Sequence, residues 1–111
     1  MNNSSELQQQ LDQLVNELRQ YGAEKIILFG SVARGDADHY SDVDLVIVKP
    51  TTMNFVDRLA DVVRQCPTPL NADIIVYTPE EFQRMQDADN PFLECVLKDG
   101  KSLYEKATAA G

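Results

Sequence analysis

Asp42 and Asp44 stand two residues apart at the start of the apolar run Val43-Asp44-Leu45-Val46-Ile47-Val48. If that run is a strand, alternate side chains share a face, and the two carboxylates emerge together with their Cα atoms about 7 Å apart. Unpaired carboxylates at that spacing repel each other, so a cation between them removes a cost. Magnesium takes oxygen ligands, commonly one or two carboxylates completed by water and substrate phosphates, and the pair suits that ion. Val43, Leu45 and Ile47 then point to the opposite face, into a core. Taken alone, an Asp-x-Asp is more often a solvated strand start.

Asp73 changes that balance. It lies near the start of another apolar run, Ala72 to Tyr77, as Asp42 does near the start of its own. Parallel, adjacent strands would bring all three acids to one end of a sheet. Such a trio suits a two-metal site, in which one cation activates the attacking oxygen and the other holds a triphosphate and its leaving group. Asp73 is then a candidate general base toward an acceptor hydroxyl, or a metal ligand on the attacking side. Asp57 and Asp61 remain alternatives for the third acid. Upstream, Gly30 allows close approach of the backbone to a ligand, and Ser31 adds a hydroxyl, which together make a triphosphate cradle. A helical turn over Ser31-Val32-Ala33-Arg34 would add its positive end. His39 and Tyr40 lie in the same polar connection, where an exposed His is usually only that.

The elements that must position these residues follow from patterning. Leu7, Leu11, Leu14, Val15 and Leu18 recur at helical spacing from Glu6 to about Tyr21, with a stop near Gly22. Lys25-Ile26-Ile27-Leu28-Phe29 reads as a buried strand ending at Gly30, and Val43 to Val48 as a second, closed by Pro50. Phe55, Val56, Leu59, Val62 and Val63 form a second helical stripe that ends before Pro67 and Pro69. After the strand Ala72 to Tyr77, Thr78 supplies a hydroxyl cap, Pro79 the first helical position and Glu80-Glu81 acids at the positive end of the dipole, so a short helix runs to Gln86. Phe92, Leu93, Val96 and Leu97 give a last helix capped near Gly100, and Ser102-Leu103-Tyr104 a short edge strand. The expected fold is α/β, a small mixed three- to four-stranded sheet covered by helices, with one right-handed βαβ unit. The 111 residues suffice for one core, so residues 1–111 read as a single domain with flexible ends over about 1–5 and 106–111.

Composition narrows the partners. A net charge of −8 argues against binding free nucleic acid, where Lys and Arg must displace condensed cations. No apolar run approaches the roughly 20 residues that span a bilayer, and the first residues carry neither a basic nor a hydrophobic segment, which places the chain in the cytoplasm and off the membrane. Cys66 and Cys95 fall in different predicted helices without metal-ligand spacing and read as reduced, partly buried thiols.

Gly30-Ser31, Arg34-Gly35 and Ser41-Asp42-Val43-Asp44-Leu45 resemble the Gly-Ser, Ala-Arg-Gly and Ser-Asp-x-Asp-Leu pattern of the DNA polymerase beta-like nucleotidyltransferase superfamily. The likeness is nearest to its minimal nucleotidyltransferases, the antitoxins paired with HEPN-domain toxins. The resemblance implies the polymerase beta-like fold, with Gly30, Ser31 and Ser41 on the nucleotide, Asp42 and Asp44 on two magnesium ions, and Asp73 as third metal-binding and catalytic acid. Arg34 would contact nucleotide or acceptor. It implies ATP as substrate and a HEPN toxin as partner, with AMP passed to a hydroxyl of that toxin, typically a tyrosine. So small an acidic chain must receive its acceptor from outside, which favours a protein over a small molecule such as an aminoglycoside. The alternative is an antitoxin that neutralises its partner by binding alone, with the acids kept as scaffold.

Overall fold

The leucine spacing folds Asn3–Tyr21 into helix α1, which sinks Leu11, Leu14 and Leu18 into the core. Gly22 stops it at φ +116°, with its N–H donating to Arg19 O and the next N–H, from Ala23, to Leu18 O. These paired bonds close the last carbonyls of the helix in a Schellman arrangement. The computed structural model of the chain describes residues 3–30, 43–66 and 72–106.

Four strands follow in the order β1 (Lys25–Phe29), β2 (Val43–Val48), β3 (Ala72–Tyr77) and β4 (Lys101–Glu105). In space they lie β3-β2-β1-β4. β1 is antiparallel to both β2 and β4, while β2 and β3 are parallel and joined through helix α2 (Phe55–Gln65), as the βαβ reading requires. Helices α3 (Pro79–Asp87) and α4 (Pro91–Asp99) complete the described elements.

The sheet is buried on both faces, which is why β1 and β2 read as continuous apolar runs. On one face Ile26, Leu28, Leu45, Ile47 and Val76 pack with Leu14 and Leu18 of α1 and Val62 of α2. On the other, Ile27, Val46 and Val48 pack with Phe82 of α3 and with Leu93 and Val96 of α4. The turn into α3 is stronger than a hydroxyl cap alone. Thr78 Oγ1 accepts from Glu81 N at 3.1 Å while Glu81 Oε1 accepts from Thr78 N at 2.9 Å, a reciprocal capping box. α4 opens on Asn90, whose side chain accepts from Leu93 N at 3.1 Å.

Two expectations need correction. The stripe on α2 does not face inward as a whole: Val62 is buried, but Phe55, Val56, Leu59 and Val63 are exposed, and Arg58 and Asp61 occupy the inner face. The reason is polar satisfaction. Arg58 donates from Nη1 and Nη2 to the two Glu81 carboxylate oxygens at 2.7 and 3.0 Å, from Nη1 to Val76 O at 3.0 Å, and from Nε to Met53 O at 2.9 Å. Asp61 accepts from the Tyr21 hydroxyl and from Arg64 Nη2. The second correction concerns the thiols. Cys66 is buried, at the C-cap of α2, whereas Cys95 on α4 is exposed; both are free.

Candidate active site

The end of β1 and the beginnings of β2 and β3 meet at one end of the sheet. Strand register pairs Phe29 with Asp44 and Asp44 with Asp73, so these three side chains share a face, the one that carries α3 and α4. Neighbouring strands lie about 4.8 Å apart, which brings the Asp44 and Asp73 carboxylates within reach of one small cation. Asp44 is half-buried and Asp73 is exposed, because β3 is an edge strand and its outer side is open. Phe29 packs edge-to-face on Phe92 of α4, with ring centres 5.7 Å apart, and gives the corner an apolar flank.

The register sharpens the strand-start argument. Asp73 aligns with Asp44, the second acid of the Asp-x-Asp pair, and Val43 aligns with Ala72. Val43, Leu45 and Ile47 do turn to the opposite face, where each is fully buried. Asp57 and Asp61 do not join the acids. Asp61 lies among α1 and α2 on the other side of the sheet, held by Tyr21 and Arg64, and Asp57 is exposed on α2.

Gly30 has a more specific role than close approach to a ligand. Its φ is +81°, and a Cβ placed there would overlap Asp44 Oδ2 and stand 3.2 Å from Asp44 Cγ. The missing side chain is what leaves room for the Asp44 carboxylate over the end of β1. Ser31, Arg34, Ser41 and Asp42, with His39 and Tyr40, lie outside the described residues. Among the described residues no group of three or more His, Cys, Asp or Glu side chains is gathered to hold a metal. Asp44 and Asp73 offer carboxylate oxygens of the kind that magnesium takes.

Sequence patterning missed the polar network behind the sheet. The Tyr21 hydroxyl bonded to Asp61 holds that carboxyl below its ordinary range, and Arg58 does the same to Glu81. Burial, with the bond to Asp61, pushes the Tyr21 hydroxyl well up. The readable signal was Thr78-x-x-Glu81, a capping box in one dimension. Arg58, 23 residues upstream of Glu81, had no local partner to betray it.

The sequence profile of the polymerase beta nucleotidyltransferase family matches residues 12–109. Two proteins of Methanocaldococcus jannaschii, both provisionally named protein adenylyltransferases, are similar to the chain. One is 37% identical over 81 residues, covering 72% of this chain and 77% of the relative. The other is 34% identical over 103 residues, covering 86% and 70%. Among solved structures, a provisionally described nucleotidyltransferase from Sulfolobus solfataricus superposes with a TM-score of 0.62 at 29% identity, over 87% of this chain and 78% of that one. A toxin-antitoxin structure with AMP-PNP superposes with a TM-score of 0.55 over 86% and 73%, and at 19% identity that likeness concerns the fold alone.

Proposed function

The chain belongs to the polymerase beta nucleotidyltransferase family, and on that premise we propose that it is an antitoxin enzyme that transfers AMP from ATP to a hydroxyl, a tyrosine above all, of a HEPN-domain toxin. The observation that carries the reading is the register of Asp44 beside Asp73, with Gly30 clearing space for the Asp44 carboxylate. The names of the two relatives support a protein acceptor, and the motif resemblance to antitoxins paired with HEPN-domain toxins supports a toxin as that acceptor. The net charge of −8 agrees with a protein partner in place of a nucleic acid.

Asp42, Asp44 and Asp73 would hold magnesium, Asp42 on the strength of the Ser-Asp-x-Asp-Leu motif. Magnesium, when bound, offsets the charge of the triphosphate and polarises the α-phosphoryl group. Gly30, Ser31 and Ser41 hold the triphosphate in line, and Arg34 contacts the nucleotide or the acceptor. Asp73, on the open edge of β3, orients the acceptor hydroxyl and takes its proton. The acceptor oxygen then bonds to the α-phosphorus, the bond from that phosphorus to the bridging oxygen breaks, and pyrophosphate leaves.

The test is to incubate the purified chain with the HEPN-domain protein, ATP and magnesium, and to weigh the HEPN protein intact. A gain of one or more AMP units is expected; no gain counts against the reading. The second reading, neutralisation by binding alone, is favoured by the exposed apolar face of α2. Asp42→Asn with Asp44→Asn separates the two, since full neutralisation by that variant would leave binding as the mechanism.

A further inference from the structure

Among the described residues no helix or strand covers the outer apolar face of α2. Phe55, Val56, Leu59 and Val63 are 53%, 77%, 48% and 62% exposed, and Met53 beside them is 40% exposed. Phe55, Leu59 and Val63 follow one another at i, i+4 and i+8, the ridge that seats in the groove of a second helix. Together these side chains offer on the order of 500 Å² of apolar surface, at the upper end of what monomers carry. A standard interface buries about 800 Å² per partner, so the patch can serve as its core with a polar rim around it.

The patch continues into a cavity. Phe55 also lines an open pocket of about 440 Å³ with Tyr77, Met85 and Ala88, bordered by Glu81, Arg84 and Asn90. Phe55 and Tyr77 meet there with ring centres 6.0 Å apart. A ridge beside a pocket is the form that an anchored helix needs: the stripe receives its length, and the pocket receives one large apolar side chain.

Charge decides between occupants. Asp57, Glu80, Asp87 and Asp89 are exposed on the helices that carry this surface and outnumber its cations: Arg84 borders the pocket, while Arg58 and Arg64 are each engaged by a carboxylate, Glu81 and Asp61. The chain as a whole carries −8, so a second copy would bring like charge against like. We infer that the α2 stripe and the adjoining pocket form the docking site for an amphipathic helix of another protein, its apolar ridge flanked by Lys and Arg. In the βαβ unit α2 runs back toward the start of β3, so its Val63 end approaches the end of the sheet that holds Asp73 and Asp44. A helix laid along the stripe travels about 12 Å from Phe55 to Val63. It thereby brings the chain beyond its end to the end of the sheet that holds Asp73, from which that chain must pass around the β3 edge to the face on which Asp73 is exposed. This rests on the reading of a protein acceptor for the partner's identity, and not for the site itself.

The probe is the protein encoded beside this chain, titrated calorimetrically into the wild type and into Val56→Asp with Val63→Asp. Both positions are solvent-facing, so the variant should keep its melting temperature within a few degrees. Its affinity for the probe should fall about 30-fold or more, as for the loss of a hot spot. Ala88→Glu, which places a charge in the pocket, should weaken the same complex independently. Asp57→Lys with Asp87→Lys should slow association and flatten its salt dependence. Unchanged affinity in the Val56→Asp, Val63→Asp variant overturns the proposal, and so does failure of the wild type to bind the probe. A wild-type dimer that this variant converts to monomer overturns it in favour of a second copy. Binding that depends on the stripe while AMP transfer is absent leaves this site standing and refutes the proposed chemistry.

Discussion

Replacing Gly30 by Ala probes the acid corner through a residue with no chemistry of its own. At φ +81° an alanine meets the left-handed penalty of about 1–2 kcal/mol. Its Cβ also overlaps Asp44 Oδ2, so the aspartate must rotate away from its rotamer at a further cost of about 0.5–1.5 kcal/mol. Together these predict a loss near 2–3 kcal/mol in urea unfolding, or a melting temperature lower by about 8–15 °C for a chain of this size. The functional loss should be larger than the stability loss suggests. With Asp44 in the proposed magnesium site, displacing its carboxylate by an ångström should cost about 100-fold in rate, measured as pyrophosphate release below the melting transition. A double-mutant cycle isolates the contact: in the Asp44→Ala background only the backbone penalty remains, so Gly30→Ala should cost less there by about 0.5–1.5 kcal/mol. Equal costs in both backgrounds, or full nucleotidyl transfer by Gly30→Ala, would refute the claim that this glycine makes room for Asp44.

Glu81→Ala removes two bonds to Arg58 and one to Thr78 N, and strands a guanidinium whose side chain is only 8% exposed. Since Glu81 itself is about a third exposed, we expect a loss of about 2–3 kcal/mol in chemical denaturation; a loss under about 1 kcal/mol would show that Arg58 finds water instead. Acid should destabilise the fold through the two carboxyls held low, Glu81 by the Arg58 bond and Asp61 by the Tyr21 bond. Their contribution is fully present above the unfolded carboxyl values, near 4, and is lost as pH falls through the lowered folded ones. Tyr21→Phe should therefore flatten the acid limb of the stability profile, and an unchanged limb would remove Asp61 from that role. Asp73→Asn should leave the unfolding free energy within about 0.5 kcal/mol of wild type, because the side chain is exposed, while transfer falls by about 100-fold or more; retained transfer would exclude Asp73 as the base.

Much of the architecture was readable in one dimension because local signals agree with the final packing. The runs Lys25–Phe29, Val43–Val48 and Ala72–Tyr77 are bounded by glycine, proline and caps, and the βαβ order makes β2 and β3 parallel. Parallel pairing was also what put Asp44 and Asp73 in one place. What pattern could not supply was register: Asp73 lies beside Asp44, a result that depends on how α2 packs and on where the connections place each strand. α2 misled for a physical reason. An apolar stripe is read as inward-facing, yet Arg58 and Asp61 found buried partners from distant segments and turned Phe55, Val56, Leu59 and Val63 outward. Gly30 read as a backbone position; its contact with Asp44 spans two strands and follows from how β1 pairs with β2.

The central claim is that Asp44 and Asp73, with Asp42, hold the divalent ion that binds the triphosphate. Its most direct test is calorimetric titration of a non-hydrolysable ATP analogue into the wild-type chain and into Asp44→Asn, with magnesium and with chelator. The account predicts binding by the wild type that weakens at least about tenfold, or about 1.4 kcal/mol, when magnesium is removed or Asp44 is replaced. An affinity that is the same with and without the metal, or unchanged in Asp44→Asn, would contradict it.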